Sequence, residues 1–189
     1  MTLAAKALIP ALWFAWAIYW ALAARRVKPV AWRESNLSRA SHRVPVIVAF
    51  YLLVLPAMPG WLGAQWIEQS WILFGIGTGL VVAGLAFSVW ARVQLGGNWS
   101  GTVTLKQGHE IVRSGPYRWI RHPIYTGLLL AFCGSALALG QWRGLIGLAL
   151  VLVAYWRKIR LEERRLEQHF GAAYADYRRS SWALIPFLV

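Results

Sequence analysis

Five uncharged stretches, with arginine-rich segments after the first, third and fifth, leave this chain few ways to fold. Residues 7–24 carry no charge over eighteen positions and include Trp13, Trp16 and Trp20. Residues 44–67 form a second run of twenty-four, interrupted by Pro45, Pro56 and Pro59, which predicts a kinked helix followed by a turn near Gly60 and Gly63. Residues 71–91 form a third, and its Gly75, Gly77, Gly79 and Gly84 suit close helix packing within the monomer, with small residues four apart. The fourth covers 124–141; the fifth, 144–156, has only thirteen residues. A bilayer span takes about twenty apolar residues, so the fifth needs flanking arginines, local thinning or a tilted partner, or else forms a re-entrant hairpin. The first run also fits a cleaved signal peptide, but its aromatics and the arginines after it favour retention.

Composition agrees with a membrane solvent. Hydrophobic residues make up 58% and charged residues 14%, where soluble domains hold about 45–50% and roughly 25%. The single cysteine, Cys133, lies in an apolar run and excludes an intramolecular disulfide framework or a cysteine-based metal cluster.

The net charge of +13 is distributed unevenly. Six basic residues (Arg25, Arg26, Lys28, Arg33, Arg39, Arg43) follow the first run, five (Arg92, Lys106, Arg113, Arg118, Arg121) follow the third, and seven between Arg157 and Arg179 follow the fifth. With five spans and the N-terminus outside, eighteen of the twenty basic residues face the cytoplasm, Lys6 and Arg143 excepted. Lipid therefore accounts for the basicity, and nucleic acid is not needed as a partner. The reading is an all-α integral membrane protein of five transmembrane helices. It is a single membrane domain, 1–189, of N-terminal helices (1–83) and a core (84–187).

The polar connection 92–123 contains Asn98-Trp99, His109-Glu110 and Gly115-Pro-Tyr117, and ends in Arg121-His-Pro-Ile-Tyr-Thr-Gly127 at the start of the fourth run. Pro123 suits the first helical position. Taken alone, Tyr117, Trp119 and Tyr125 with Arg118 and Arg121 also fit an interfacial anchor. After the fifth run, Ile159, Leu166 and Phe170 fall on one narrow stripe of a helix that continues into cytoplasmic water, with Glu163 on the stripe and Glu162 at its edge. An acid so placed must meet water, a basic group or a bound cation; pairing with Arg165 or Arg118 is the bland possibility.

In this order, His109-Glu110, Gly115-Pro-Tyr117, Arg121 to Gly127, Glu162-Glu163, Phe170-Gly171, Tyr174, Tyr177 and Pro186 resemble the isoprenylcysteine carboxyl methyltransferase family. That family belongs to a membrane methyltransferase superfamily that includes phospholipid N-methyltransferases. The resemblance covers about residues 84 to 187. It implies S-adenosylmethionine as methyl donor, S-adenosylhomocysteine as product, and a lipophilic, prenyl-like or lipid acceptor reached through the membrane, with no metal. It also places the chain in a bacterial inner membrane.

The resemblance implies a cytoplasmic cofactor site formed by the C-terminal half, and assigns the cofactor to Tyr117, Arg121, His122, Tyr125, Gly127, Glu162 and Glu163. Glu163, then Glu162, serves the ammonium or ribose; Gly127 permits close approach of adenine or of helix backbone. Arg92 resembles a family arginine that positions the acceptor carboxylate, and Asn98 and Trp99 shape the acceptor entrance. A carboxylate attacks the methyl without deprotonation, so alignment is the main catalytic need. An amine or phenol would require a base, for which Glu110 or His109 is the candidate. Carboxyl O-methylation is the leading reading, N-methylation of a phospholipid or small amine the runner-up. A membrane reductase, or a noncatalytic binding protein whose cavity is obstructed and whose Glu162 and Glu163 are paired internally, stands further behind.

Overall fold

A computed structural model describes residues 3–25, 27–55 and 57–187; Arg26, Pro56 and the side chains of Lys6 and Lys106 lie outside what it describes. Long helices α1 (Leu3–Ala23), α2 (Asn36–Val54), α3 (Trp71–Leu95), α4 (Pro123–Leu139) and α5 (Trp142–Phe170) carry the five apolar runs, and a short α6 (Ala172–Arg179) follows.

The second run begins its helix earlier than hydropathy suggests. The Ser35 hydroxyl accepts from the Ser38 N–H and starts α2 at Asn36, so two polar turns precede the apolar part. Pro45 lies inside this helix without ending it. The fifth run is likewise part of something longer: α5 is continuous over 29 residues, about 44 Å at 1.5 Å per residue. It reverses from α4 through Gly140, whose φ of 63° is left-handed, a conformation glycine adopts without strain.

α3 packs most extensively on α4, and their glycines explain why. An added Cβ at Gly84 would lie 2.4 Å from the Gly127 carbonyl oxygen, and one at Gly134 would lie 2.5 Å from that of Gly77. The two backbones therefore touch at two places seven residues apart, whereas Gly75 and Gly79 face open space. The spacing in use is seven, not four. α1 is fixed across this pair by its tryptophans: Trp13 Nε1 donates to Ser135 Oγ and Trp16 Nε1 to Ser88 Oγ, each at 2.9 Å. Both serines are buried, so these bonds satisfy polar groups that would otherwise be costly.

The fold is mostly helical, with one addition that the apolar pattern did not foretell. β1 (Val30–Arg33) and β2 (Thr104–Lys106) form an antiparallel ribbon, which ties the α1–α2 connection to the α3–α4 connection.

α2 and α3, the latter with the turn that follows it, are long and apolar enough to cross a bilayer, and residues 7–23 and α4 are shorter apolar helices. Large side chains on the outer faces, such as Phe14, Ile72 and Val153, are 67%, 74% and 68% exposed. An apolar girdle of this kind marks a membrane-facing surface.

Candidate active site

At one end of the bundle, the start of α4 and the part of α5 beyond its apolar run meet beneath residues 98–109. Pro123 opens α4, so His122 is its N-cap residue and Tyr125 lies in its first turn. The neighbouring backbone is held by a later segment: Arg121 N donates to Trp182 O at 2.8 Å and His122 N to Ala183 O at 3.0 Å. The Tyr177 hydroxyl reaches Tyr117 O at 2.6 Å, and Thr126 Oγ1 reaches Leu184 O at 2.7 Å.

Against this frame α5 presents two adjacent acids. The Tyr125 hydroxyl donates to Glu162, and its ring stacks on His122 on one side and Tyr155 on the other. His122 lies between the acids: its Nδ1 is 3.6 Å from Glu162 Oε2 and its Nε2 is 3.3 Å from Glu163 Oε1. Glu163 also accepts from Arg121 Nε at 2.7 Å, and Arg178 Nε lies 3.8 Å away. Burial works against a charged Glu163, yet His122 and Arg121 outweigh it and hold the carboxyl at about 2. Lys158 Nζ is 3.9 Å from Glu162 and donates to Gly101 O at 3.1 Å, linking α5 to the covering segment. Burial pushes up the phenols of Tyr117 and Tyr174, and that of Tyr177 to about 12, so all three remain donors at neutral pH.

The cavity enclosed here is narrow, about 130 Å³, and open on one side. Asn98, Trp99, Tyr117, Arg121, His122, Tyr125 and Glu162 line it, as does His109. The remaining residues that the sequence suggested lie elsewhere. Gly127 meets α3 backbone, Glu163 is turned to Arg121 and His122, and Glu110 is exposed. Arg92 is 4% exposed; it donates to Gly96 O and Ala23 O at 2.7 and 2.8 Å and lies 4.7 Å over the Trp99 ring. It lines a separate shallow cavity with Tyr19, Leu22 and Arg25, and is not among the residues lining the cavity at Glu162.

Sequence reasoning missed Ser100, Thr102, Thr104 and Arg165 as lining residues. Arg165 is one of seven basic residues between 157 and 179, and only its position one turn past Glu162 distinguishes it. Its guanidinium stacks on Trp32 of β1 at 4.2 Å. Among the described residues no group of three or more His, Cys, Asp or Glu is arranged to hold a metal ion.

The donor set suits a zwitterionic nucleoside: a carboxylate at Glu162 for an ammonium or ribose, a guanidinium at Arg165 for a carboxylate, and aromatic walls. Asn98 and Thr104 line this cavity, and their Oδ1 and Oγ1 atoms are buried with no hydrogen-bond partner.

Residues 71–173 match the phospholipid methyltransferase family. Protein-S-isoprenylcysteine O-methyltransferase B of Arabidopsis thaliana is 25% identical over 76% of this chain and 71% of its own length. The eukaryotic intramembrane Ras methyltransferase, isoprenylcysteine carboxyl methyltransferase, is similar in structure: TM-score 0.52 and 25% identity over 81% of this chain and 52% of that one. More distantly, a steroid 5-alpha-reductase of Solanum lycopersicum is 22% identical over 86% of this chain and 63% of its own length. The chain thus spans about half of the solved relative and less than three quarters of the first plant protein. These relatives are eukaryotic and lend no support to a bacterial membrane. With the family match over residues 71–173 and these likenesses together, the chain belongs to the phospholipid methyltransferase family of membrane methyltransferases, on the side of the isoprenylcysteine carboxyl methyltransferases.

Proposed function

We propose that this chain transfers a methyl group from S-adenosylmethionine to a lipophilic acceptor within the membrane, with carboxyl O-methylation as the reaction. The observation that carries this reading is the cavity at Glu162, which an acid, a guanidinium and aromatic side chains of the family motif region line together. Glu162 and Arg165 would hold the charged ends of the cofactor, and Tyr117, Tyr125 and Trp99 its rings. Bound there, the cofactor supplies an electrophilic methyl on sulfur. Glu163 serves instead as a positioning residue, holding Arg121 and His122 against α5. The internal pairing expected of a noncatalytic protein is present at both acids, Glu163 with Arg121 and His122 and Glu162 with Tyr125, His122 and Lys158, but Glu162 also borders the cavity. Room for a nucleoside requires the 98–109 segment to move outward, and the Lys158 bond to Gly101, the Glu34 bonds to Val103 and the β1–β2 pairing all hold it down.

Arg92, in contact with Trp99 and lining the separate cavity, is assigned to the acceptor. Two of its nitrogens are engaged by backbone carbonyls, and the buried Nε has no partner. An acceptor carboxylate needs no base, so the chain's task is to align it and keep water away. The distant reductase likeness gives a second enzyme reading; the chain has no Gly-rich dinucleotide fingerprint to support it.

We also assign one membrane domain of five spans, N-terminus outside and C-terminus cytoplasmic. The described basic residues at 25–43, 92–121 and 157–179 lie toward the Glu162 end of the bundle, as that orientation requires. Purified protein in lipid nanodiscs should bind S-adenosylhomocysteine in calorimetry and move labelled methyl from S-adenosylmethionine to a prenylcysteine analogue. Folded protein that does neither would overturn the reading.

A further inference from the structure

A second cavity lies at the opposite end of the bundle, among the start of α1, the end of α2 and the α4–α5 turn. It holds about 630 Å³, within the range of roughly 300–1,000 Å³ of small-molecule sites. Ile9, Leu53 and Phe74 give it apolar walls. On its polar side stands Arg143, only 3% exposed.

The Arg143 guanidinium donates from Nη1 to Leu55 O at 2.5 Å and from Nε to Gln141 Oε1 at 2.7 Å. These bonds close the end of α2 and fix the direction of the fork, but neither acceptor carries a full charge. Among the described residues no carboxylate is within ion-pair distance of Arg143. Gln69 lines the same cavity, with its amide donating to Leu137 O at 2.9 Å and its Oε1 buried and unpartnered. A buried cation without a counter-charge is costly, and inside a membrane such groups mark sites of function. An oxyanion on an apolar tail would answer both the charge and the walls.

We propose that this cavity binds an anionic amphiphile from the surrounding leaflet, its phosphate or carboxylate at Arg143 and its chain along Ile9, Leu53 and Phe74. A guanidinium fork suits either oxyanion. The site is at the far end of the bundle from Glu162, so its occupant is not the methyl acceptor, and its test does not depend on methyl transfer.

Native mass spectrometry of the detergent-solubilised chain tests this, with dioleoylphosphatidylglycerol, oleate, neutral dioleoylphosphatidylcholine and inorganic phosphate added separately. One phosphatidylglycerol or oleate per chain should be retained about tenfold better than phosphatidylcholine, and the stronger of the two identifies the head group. R143Q should lose about tenfold in retention, and so should V54F, which fills the cavity while keeping Arg143 and its bonds. V54F covers the case in which R143Q does not fold. Equal retention of the neutral lipid, binding of inorganic phosphate alone, or unchanged retention in V54F would overturn the proposal.

Discussion

The Tyr125 hydroxyl donates to both carboxylate oxygens of Glu162, at 2.8 and 2.9 Å, and so fixes the one acid of the adjacent pair that borders the cavity. Y125F should leave that carboxylate free to turn toward Lys158. The expected result is affinity for S-adenosylhomocysteine weakened about tenfold, close to the 1.4 kcal/mol that a charge-assisted hydrogen bond can contribute. Calorimetry at fixed detergent concentration measures it, and E162Q should lose more.

Glu163 stabilises the folded state through Arg121 and His122. Its carboxyl is depressed from 4.5 to about 2, so the contribution is fully present above the ordinary carboxylate value and is lost as pH falls toward 2. Thermal melts should therefore show the wild type losing stability from pH 4.5 downward more steeply than E163Q. At pH 7 the variant should be less stable by about 1–3 kcal/mol, because Arg121 loses its charged acceptor. Parallel pH curves for the two proteins would refute this.

At the α3–α4 contact an added methyl meets backbone, which cannot swing aside. G84A and G127A should each cost about 1–3 kcal/mol, while G75A, which faces open space, should be neutral or slightly stabilising. Unfolding from mixed micelles, followed by tryptophan fluorescence, distinguishes the two sites.

Ser135 accepts from Trp13 while donating to Ala131 O at 2.8 Å. S135A leaves a buried indole N–H unpaired and should cost about 1–3 kcal/mol. W13F/S135A should cost less than the sum of the single changes, since both members of the bond are removed.

Arg92 and Glu162 line different cavities and should separate kinetically. R92A should raise the acceptor KM about tenfold or more while leaving the Kd of S-adenosylhomocysteine within about twofold. A matching loss of cofactor affinity would place Arg92 with the cofactor instead.

How much of this could be read beforehand differs from element to element. The α4 entry was legible because Pro123, at the first helical position, puts His122 and Tyr125 at defined places on the first turn. Of Glu162 and Glu163, sequence alone favoured the latter for the cofactor; neighbours on a helix point about 100° apart, and only the packing of α5 decides which one faces inward. Arg92 had a local resemblance to a family arginine, but that could not reveal that its side chain packs on Trp99 and lines a cavity other than the one at Glu162. The ribbon escaped notice because three- and four-residue strands some seventy positions apart leave no periodic signal. The start of α2 was placed too late because hydropathy cannot see a polar first turn, whereas the cap at Ser35 could have found it.

The strap formed by Trp182, Ala183 and Leu184 has a practical consequence for anyone producing this protein. Because those carbonyls seat the backbone of Arg121 and His122 and the Thr126 hydroxyl, a purification handle fused close behind them pulls on the floor of the reaction chamber. A handle at the amino end, across the bilayer from that floor in the proposed orientation, leaves it undisturbed.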